Sequence, residues 1–214
     1  MMDGLSFIWD LDGTLLDSYD VMTRCLRDAL AELGAVEDYG AIRRRILQST
    51  VSTYLTEAAE RNKVSHEALF RAYVRLSAER VDDIPAMEHA AETLAALRDL
   101  GAVSFVFTHR GSSARPVLER LGLSGFFTEI IDGNDGFPRK PDPTALLYLC
   151  GKYSLDRARC YYVGDRTLDG DCAANAGIRY ILFLPPDTPV QASGTEDYVV
   201  RDLLEIPAYF KRKN

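Results

Sequence analysis

No stretch of the chain is apolar for as long as a membrane-spanning helix requires, which is about 20 residues. The first residues, Met1 to Gly4, also lack the basic-then-apolar order of a secretory signal peptide. These two absences predict a cytoplasmic protein that has no membrane partner.

Positive charge is also in short supply. The 25 Lys and Arg residues are outnumbered by 32 Asp and Glu residues, which gives a formal net charge of −7. Because nucleic-acid surfaces recruit basic patches, this balance argues against a nucleic-acid partner. It leaves room for a small anionic substrate, since a metal ion and a few local cations can reverse the sign of the charge inside one cleft.

Cysteine is scarce and poorly spaced for metal binding. Four cysteines lie 125, 10 and 12 residues apart, with no CxxC pair and no histidine cluster nearby. This spacing argues against a zinc site and favours buried, small apolar side chains in a reducing compartment. The four residues are Cys25, Cys150, Cys160 and Cys172.

The order of the apolar patterns predicts an α/β fold with an insertion. Helical periodicity without strand-like alternation runs from about residue 17 to about residue 84 and ends at Pro85. Beyond it, short apolar runs alternate with helical stripes, which is typical of a parallel sheet covered by helices on both faces. We therefore predict a Rossmann-like three-layer core from residues 1–16 and 85–214, and an all-helical domain from residues 17–84.

Five apolar runs and one later segment are the predicted strands. A loop is expected between the fifth and sixth of them, beginning at Pro185-Pro186-Asp187. The predicted strands are Phe7–Trp9, Ala102–Phe107, Glu129–Asp132, Cys160–Val163, Tyr180–Phe183 and Tyr198–Val200.

The first strand ends in two carboxylates, Asp10 and Asp12, which are followed by Gly13. A calcium loop of the EF-hand type is excluded, because Leu15 and Val21 stand where that loop needs glycine and glutamate. An ordinary Asp-Gly turn is one remaining interpretation. The other is a carboxylate nucleophile beside an acid/base group, both close to a divalent cation that relieves their mutual repulsion.

Polar side chains follow two further strands. Thr108 follows the second predicted strand and Asp165 follows the fourth, so a parallel sheet places both on the same edge as Asp10. Lys140 lies between them, in a Pro-rich run just before a predicted helix. Taken alone, Lys140 could be a solvated surface lysine. Likewise, Asp165 and Asp169 could simply favour the positive end of a helix dipole.

Four motifs in sequence order resemble those of the haloacid dehalogenase-like superfamily, in its phosphatase branch. The resemblance is closest to the phosphoglycolate phosphatase-like group, which carries a helical cap inserted after the first motif. It implies that Lys140 holds the phosphoryl group and steadies the nucleophile, and that Asp165 and Asp169 complete a magnesium shell. The motifs are Asp10–Thr14, Thr108, Arg139–Pro143 and Gly164–Asp169.

The resemblance predicts a magnesium-dependent phosphatase that acts on a small phosphorylated metabolite through an aspartyl-phosphate on Asp10. Asp12 would be the acid/base group, and its backbone carbonyl would join Asp10 and Asp165 as a magnesium ligand, with Asp169 just behind them. Thr108 would donate a hydrogen bond to a phosphoryl oxygen. A phosphomutase and a non-catalytic phosphate-binding protein are the alternatives, whereas a dehalogenase would leave Asp12 without a task.

One position departs from the resemblance. Relatives commonly carry asparagine after the threonine of the second motif, but this chain has His109 followed by Arg110. His109 is therefore a candidate substrate contact, with a plain loop residue as the alternative. The run Arg43-Arg44-Arg45 is a second open case, because one of its side chains could contact substrate while the others are solvated. Substrate identity and oligomeric state stay open.

Overall fold

The computed structural model describes residues 4–185 and 188–212. The chain divides into two compact units. One holds the described residues up to Asp17 and from Ala86 onwards, and the other is Ser18–Pro85. The predicted loop residues Pro186 and Asp187 lie outside the described part of the chain.

The larger unit contains a six-stranded sheet in which every neighbouring pair of strands is parallel. The strand order is β3-β2-β1-β4-β5-β6, so the direction of strand addition reverses between β1 and β4. This confirms the predicted α/β core with a parallel sheet. The strands are β1 (Ser6–Trp9), β2 (Val103–Phe107), β3 (Phe127–Ile131), β4 (Cys160–Gly164), β5 (Arg179–Phe183) and β6 (Tyr198–Val200).

Nine α-helices occur in the described residues, together with short 3-10 turns at Val81–Asp83, Ser124–Phe126 and Arg157–Arg159. None of these helices is both long and apolar enough to cross a membrane. The cytoplasmic location stays a prediction. The helices are α1 (Tyr19–Glu32), α2 (Tyr39–Gln48), α3 (Val51–Asn62), α4 (His66–Glu79), α5 (Ala90–Asp99), α6 (Ala114–Arg120), α7 (Thr144–Lys152), α8 (Thr167–Ala176) and α9 (Glu205–Arg212).

The smaller unit consists of α1 to α4 and one 3-10 turn. Three of its helices begin at a side chain that accepts a hydrogen bond from a backbone N–H of the first turn, as polar N-cap residues do. These bonds run from Ala41 N to Asp38, from Thr53 N to Thr50 and from Ala68 N to Ser65.

Each face of the sheet has its own core. One face packs Ile8, Phe105 and Tyr162 with the apolar residues of α7 and α8. On the other face Phe7 stacks on Tyr161 at 5.7 Å, and the Phe210 ring of α9 meets Phe7 edge-on at 5.4 Å. Burial of large apolar side chains on both faces explains why the central strands read as continuous apolar runs. All four cysteines are buried and unpaired.

Two local features differ from the sequence interpretation. The order of Asp142 and Pro143, a cap residue followed by proline, predicts that the next helix starts at this pair. Helix α7 instead begins at Thr144, and the Asp142 carboxylate accepts a hydrogen bond from Thr144 N at 2.9 Å. Helix α9 was not predicted. Its eight residues make only about two turns and include Pro207, although Ile206 and Phe210, which are both buried, have the four-residue spacing of one helix face.

Candidate active site

The reversal of strand order between β1 and β4 is the point at which open α/β sheets bind ligands, beyond the carboxyl ends of the strands. Trp9 pairs with Val163 across this junction, and Asp10 N donates a hydrogen bond to Val163 O at 2.9 Å. Asp10 directly follows β1 and Asp165 directly follows β4. The sheet thus places two carboxylates side by side.

Asp169, on the first turn of α8, is the third member of this acid group. One carboxylate oxygen from each of Asp10, Asp165 and Asp169 lies within 4.8 Å of the others, and all three residues are buried. Three carboxylates so close together repel one another strongly unless cations stand among them.

Lys140 supplies one such cation. Its ammonium lies 2.8 Å from Oδ1 of Asp10 and 2.8 Å from Oδ1 of Asp169, and its side chain is 1% exposed. The ammonium also lies close to the rings of Phe107 and Tyr162, with Nζ 5.4 Å and 5.1 Å from their centroids. These contacts fix the lysine between the two acids, so it is not a solvated surface side chain.

The protonation states follow from burial and pairing. Burial raises the pKa of Asp10 and Asp169 adds to this, although the attraction of Lys140 opposes both. Burial by itself would lower the pKa of Lys140, but Asp10 and Asp169 outweigh it and raise that pKa. For Asp169 burial is again the largest influence, yet Lys140 and Arg166 together lower its pKa. Lys140 and Asp169 therefore form a buried ion pair.

The acid group fits a hard divalent cation. Within the described part of the chain, Oδ2 of Asp10 is buried without a hydrogen-bond partner, which is costly for a carboxylate oxygen. All the offered ligand atoms are carboxylate oxygens, the type that Mg²⁺ and Ca²⁺ prefer. A cation bound by these carboxylates would satisfy Oδ2 of Asp10 and reduce the repulsion within the group.

Asp12 lies apart from the acid group although only one residue separates it from Asp10. Its carboxylate is paired with the guanidinium of Arg110, with Nη2 at 2.5 Å and Nε at 3.1 and 3.2 Å from the two oxygens. The Arg110 side chain is 10% exposed, and its Nη1 donates a second bond to Ser113 Oγ at 3.1 Å. The Asp12 carboxylate is therefore not among the clustered metal-ligand atoms. Ligation by its backbone carbonyl stays a prediction.

The segment after β2 carries Thr108 and His109. The buried Thr108 hydroxyl accepts a hydrogen bond from Arg110 N at 3.1 Å and keeps its own hydrogen for an acceptor such as a phosphoryl oxygen. His109 Nε2 instead accepts a bond from the backbone N–H of Lys140 at 2.8 Å. Contact between His109 and substrate stays a prediction.

Only glycine fits at position 164, the last residue of β4, because the side chain of Asp169 packs against its Cα atom. A Cβ atom at position 164 would lie only 2.4 to 2.5 Å from three atoms of the Asp169 side chain. Asp169 is also held at both oxygens, because Oδ1 accepts from Lys140 Nζ and Oδ2 accepts from Arg166 N at 3.1 Å. Because both of its oxygens already accept hydrogen bonds, Asp169 is suited to a supporting role at the metal site.

We expect Gly164→Ala to push Asp169 away from Lys140 and to lower the free energy of unfolding by roughly 1–3 kcal/mol, the usual cost of overpacking. Phosphate release should fall in parallel. Chemical denaturation and steady-state assays measure the two effects. Gly151→Ala is the matched control, since its added methyl group meets no atom within 4 Å and a helix favours alanine. Equal stability and equal phosphate release in the two variants would contradict the close packing of Asp169 against Gly164.

The structure brings Asp10, Asp165, Asp169 and Lys140 into one cluster. It places Asp12 in a separate pair. The sequence interpretation missed the part played by Arg110, which binds Asp12, and by Arg166, whose Nε is 3.8 Å from Asp165. The sequence signal was an arginine two residues after Thr108 and another inside the fourth motif. The partners of these arginines depend on how the loops fold.

Comparison with known proteins shows which family the chain resembles. The haloacid dehalogenase-like hydrolase family profile matches residues 7–183. A Vibrio cholerae protein named phosphoglycolate phosphatase is 32% identical over 184 residues, covering 79% of each chain. A Haemophilus influenzae protein of the same name is 25% identical over 212 residues, covering 92% of this chain and 94% of the relative.

The fold also has solved counterparts. A crystal structure described as a predicted phosphoglycolate phosphatase from Haemophilus somnus 129PT covers 100% of both chains, with a TM-score of 0.84 and 20% identity. At that identity the similarity concerns the fold alone. The family match over most of the sequence, together with the phosphatase relatives, identifies the chain as a phosphatase that belongs to the haloacid dehalogenase-like hydrolase family.

Proposed function

We propose that this chain is a magnesium-dependent phosphatase of the phosphoglycolate phosphatase-like group, acting on a small phosphorylated metabolite through an aspartyl-phosphate on Asp10. One observation carries the proposal. The ammonium of Lys140 lies 2.8 Å from Asp10 in a buried group of three acids, at the sheet edge where ligands bind. The names of the relatives make phosphoglycolate the first substrate to test.

Charge explains why the site needs these cations. A phosphate monoester carries close to two negative charges near neutral pH, so a carboxylate cannot approach its phosphorus unless positive charge offsets the repulsion. Lys140 supplies one positive charge beside Asp10. Asp10 and Asp165, with Asp169 behind them, would hold Mg²⁺. When bound, the ion supplies further charge neutralisation and orients the phosphoryl group.

The residues of this chain then divide the reaction between them. A carboxylate oxygen of Asp10 attacks phosphorus and the ester oxygen leaves. Asp12, which must first open its pair with Arg110 and hold a proton, gives that proton to the leaving oxygen. Asp12 next takes a proton from the water that attacks the aspartyl-phosphate, which releases inorganic phosphate and restores Asp10. Lys140 fixes the rotation of the Asp10 carboxylate through its bond to Oδ1, and Thr108 donates its hydroxyl hydrogen to a phosphoryl oxygen.

A panel of phosphorylated metabolites, scored by release of inorganic phosphate with Mg²⁺ present, tests the proposal. At least one small phosphate monoester should be hydrolysed without any bisphosphate activator. Product that forms only with a bisphosphate, without net phosphate release, would identify a phosphomutase instead. Ligand binding without turnover across the panel would identify a non-catalytic phosphate-binding protein.

The proposed site should support phosphate release with Mg²⁺ but not with Ca²⁺. We expect phosphate release with Mg²⁺ and a loss of at least roughly tenfold when Ca²⁺ replaces it, because calcium has a larger and less regular shell that would displace Asp10 relative to phosphorus. Steady-state rates after chelation and addition of each ion measure the effect. Equal rates with the two ions would contradict the proposed alignment of nucleophile and phosphate.

We further propose that the helical unit Ser18–Pro85 is the substrate-selecting cap, with predicted limits of 17 and 84. Within it, Arg45 pairs with Glu57, so a substrate role for Arg45 would require this ion pair to open. Arg43 and Arg44 are the remaining candidates from the arginine run. Single alanine substitutions should raise KM for one substrate selectively if either side chain contacts it.

A further inference from the structure

The side chain of His109 binds the backbone of Lys140, the residue whose ammonium pairs with Asp10. Nε2 of His109, just beyond β2, accepts a hydrogen bond from the backbone N–H of Lys140 at 2.8 Å. The two residues lie 31 positions apart in the sequence. The same Lys140 carries its ammonium to Asp10 and Asp169.

The His109 end of this link is rigidly supported. Thr108 N donates to Ile131 O, at the end of β3, at 3.0 Å, and Gly133 N, just beyond β3, donates to Arg110 O at 2.7 Å. The loop is therefore held on both sides of His109. A Cβ atom on Gly133 would lie 2.7 Å from His109 O, which shows how closely the two loops pack. The imidazole meets the ring of Phe107 edge-on at 6.0 Å.

The Lys140 end is a turn, in which Asp142 N donates to Arg139 O at 3.1 Å. Helix α8 holds the far side of this turn, because Asn175 donates to Pro141 O at 2.9 Å and the Cys172 thiol donates to Asp142 O at 3.3 Å. The contact from His109 differs from these two, since it acts on the backbone of Lys140 itself.

The imidazole acts as a neutral acceptor. Burial, followed by the positive charges of Lys140 and Arg139, lowers the pKa of His109 to about 3. An Nε2 that accepts a hydrogen bond requires the tautomer with its hydrogen on Nδ1. His109 therefore offers a lone pair to Lys140 without adding a positive charge to the loop.

We propose that His109 is a positioning residue that sets the backbone of Lys140, and through it the ammonium that faces Asp10. The proposal rests on the proposed function for the role of Lys140 in turnover. It assigns the histidine that replaces the usual asparagine to the phosphoryl-holding machinery, and not to recognition of the organic part of the substrate. This role requires a side chain at position 109 whose acceptor atom lies as far from its own backbone as Nε2 does, so that it can reach the N–H of Lys140.

His109→Gln and His109→Asn form a matched pair for the test. The Oε1 atom of glutamine lies as many bonds from Cβ as Nε2 does, whereas the Oδ1 atom of asparagine corresponds to Nδ1 and cannot reach the Lys140 amide. We expect His109→Gln to keep kcat within about threefold of the parent, and His109→Asn to lower kcat by roughly tenfold to a hundredfold through misplacement of Lys140.

Two further comparisons separate positioning from other roles. The loss in His109→Asn should be equal for two monoesters with unrelated organic groups, because the phosphoryl group is common to both. A loss confined to one monoester would overturn the proposal in favour of direct substrate contact. Equal activity of the Gln and Asn variants would also overturn it. Asn175→Ala, which removes another side-chain bond to the same turn, should cost less than His109→Asn.

A measurement without turnover keeps this proposal separate from the proposed function. Nitrogen-15 NMR of the histidine rings should show His109 with Nδ1 protonated and Nε2 without a proton. The amide resonance of Lys140 should move in His109→Asn and should return close to its parent position in His109→Gln. A ring with Nε2 protonated would overturn the positioning proposal even in an active enzyme. The expected spectra without phosphate release would contradict the proposed function alone.

Discussion

Asp10→Asn is expected to reduce phosphate release by about 10⁴-fold or more, the scale of loss that follows removal of a nucleophile. An amide cannot attack phosphorus as a carboxylate does, and it would also weaken the 2.8 Å contact with Lys140. Steady-state release of inorganic phosphate measures the loss. Mass spectrometry of acid-quenched enzyme should find the added phosphoryl group in the parent and not in the variant.

The fold should survive this substitution. Burial, with repulsion from Asp169, outweighs the attraction of Lys140 and raises the pKa of Asp10, so folding disfavours the charged carboxylate. A neutral amide should therefore not lower the thermal unfolding midpoint of the metal-free protein. Asp171→Asn, at an exposed position of α8, is the matched control and should retain parent activity. Substantial turnover by Asp10→Asn would indicate that water, and not Asp10, attacks phosphorus.

The sheet could be predicted from the sequence because its strands carry their own signal. Phe7 to Trp9 and Cys160 to Val163 are buried on both faces, so they read as continuous apolar runs that stop at a polar residue. Parallel pairing then requires that residues following β1 and β4 lie together. The sequence is therefore sufficient to predict that Asp10 and Asp165 lie at the same edge of the sheet.

The partners within the site could not be predicted in the same way. Arg110 and Asp12 lie 98 positions apart, and neither spacing nor periodicity shows that their loops meet. The bond from Lys140 N to His109 depends likewise on two irregular loops. Such contacts are set by tertiary packing, which leaves little trace in a local pattern.

The pairing of Asp12 with Arg110 changes how Asp12 should be tested. Removing the carboxylate leaves a guanidinium that is only 10% exposed without its anion, which is destabilising in itself. Asp12→Asn avoids much of this cost, because an amide oxygen can still accept a hydrogen bond from Arg110. Asp12→Ala should therefore be less stable than Asp12→Asn, whereas the two variants should lose the same catalytic step.

Both variants should slow the hydrolysis of alkyl phosphates by roughly a hundredfold to ten-thousandfold, the usual contribution of general acid–base catalysis. An alkoxide is a poor leaving group unless it receives a proton as the ester bond breaks. The later attack of water on the aspartyl-phosphate needs the same carboxylate as a base. Stopped-flow and steady-state assays on one alkyl and one aryl phosphate separate these two steps.

An aryl phosphate needs no proton for its first step, since a phenolate leaves without help. With that substrate each variant should release a burst of phenol equal to the enzyme concentration and then stall as the phosphorylated enzyme. Asp12→Asn decides between the two roles of this acid, because it keeps a partner for Arg110 while losing the ability to transfer a proton. Loss of magnesium affinity in this variant, without a burst, would show instead that the Asp12 side chain serves chiefly as a metal ligand.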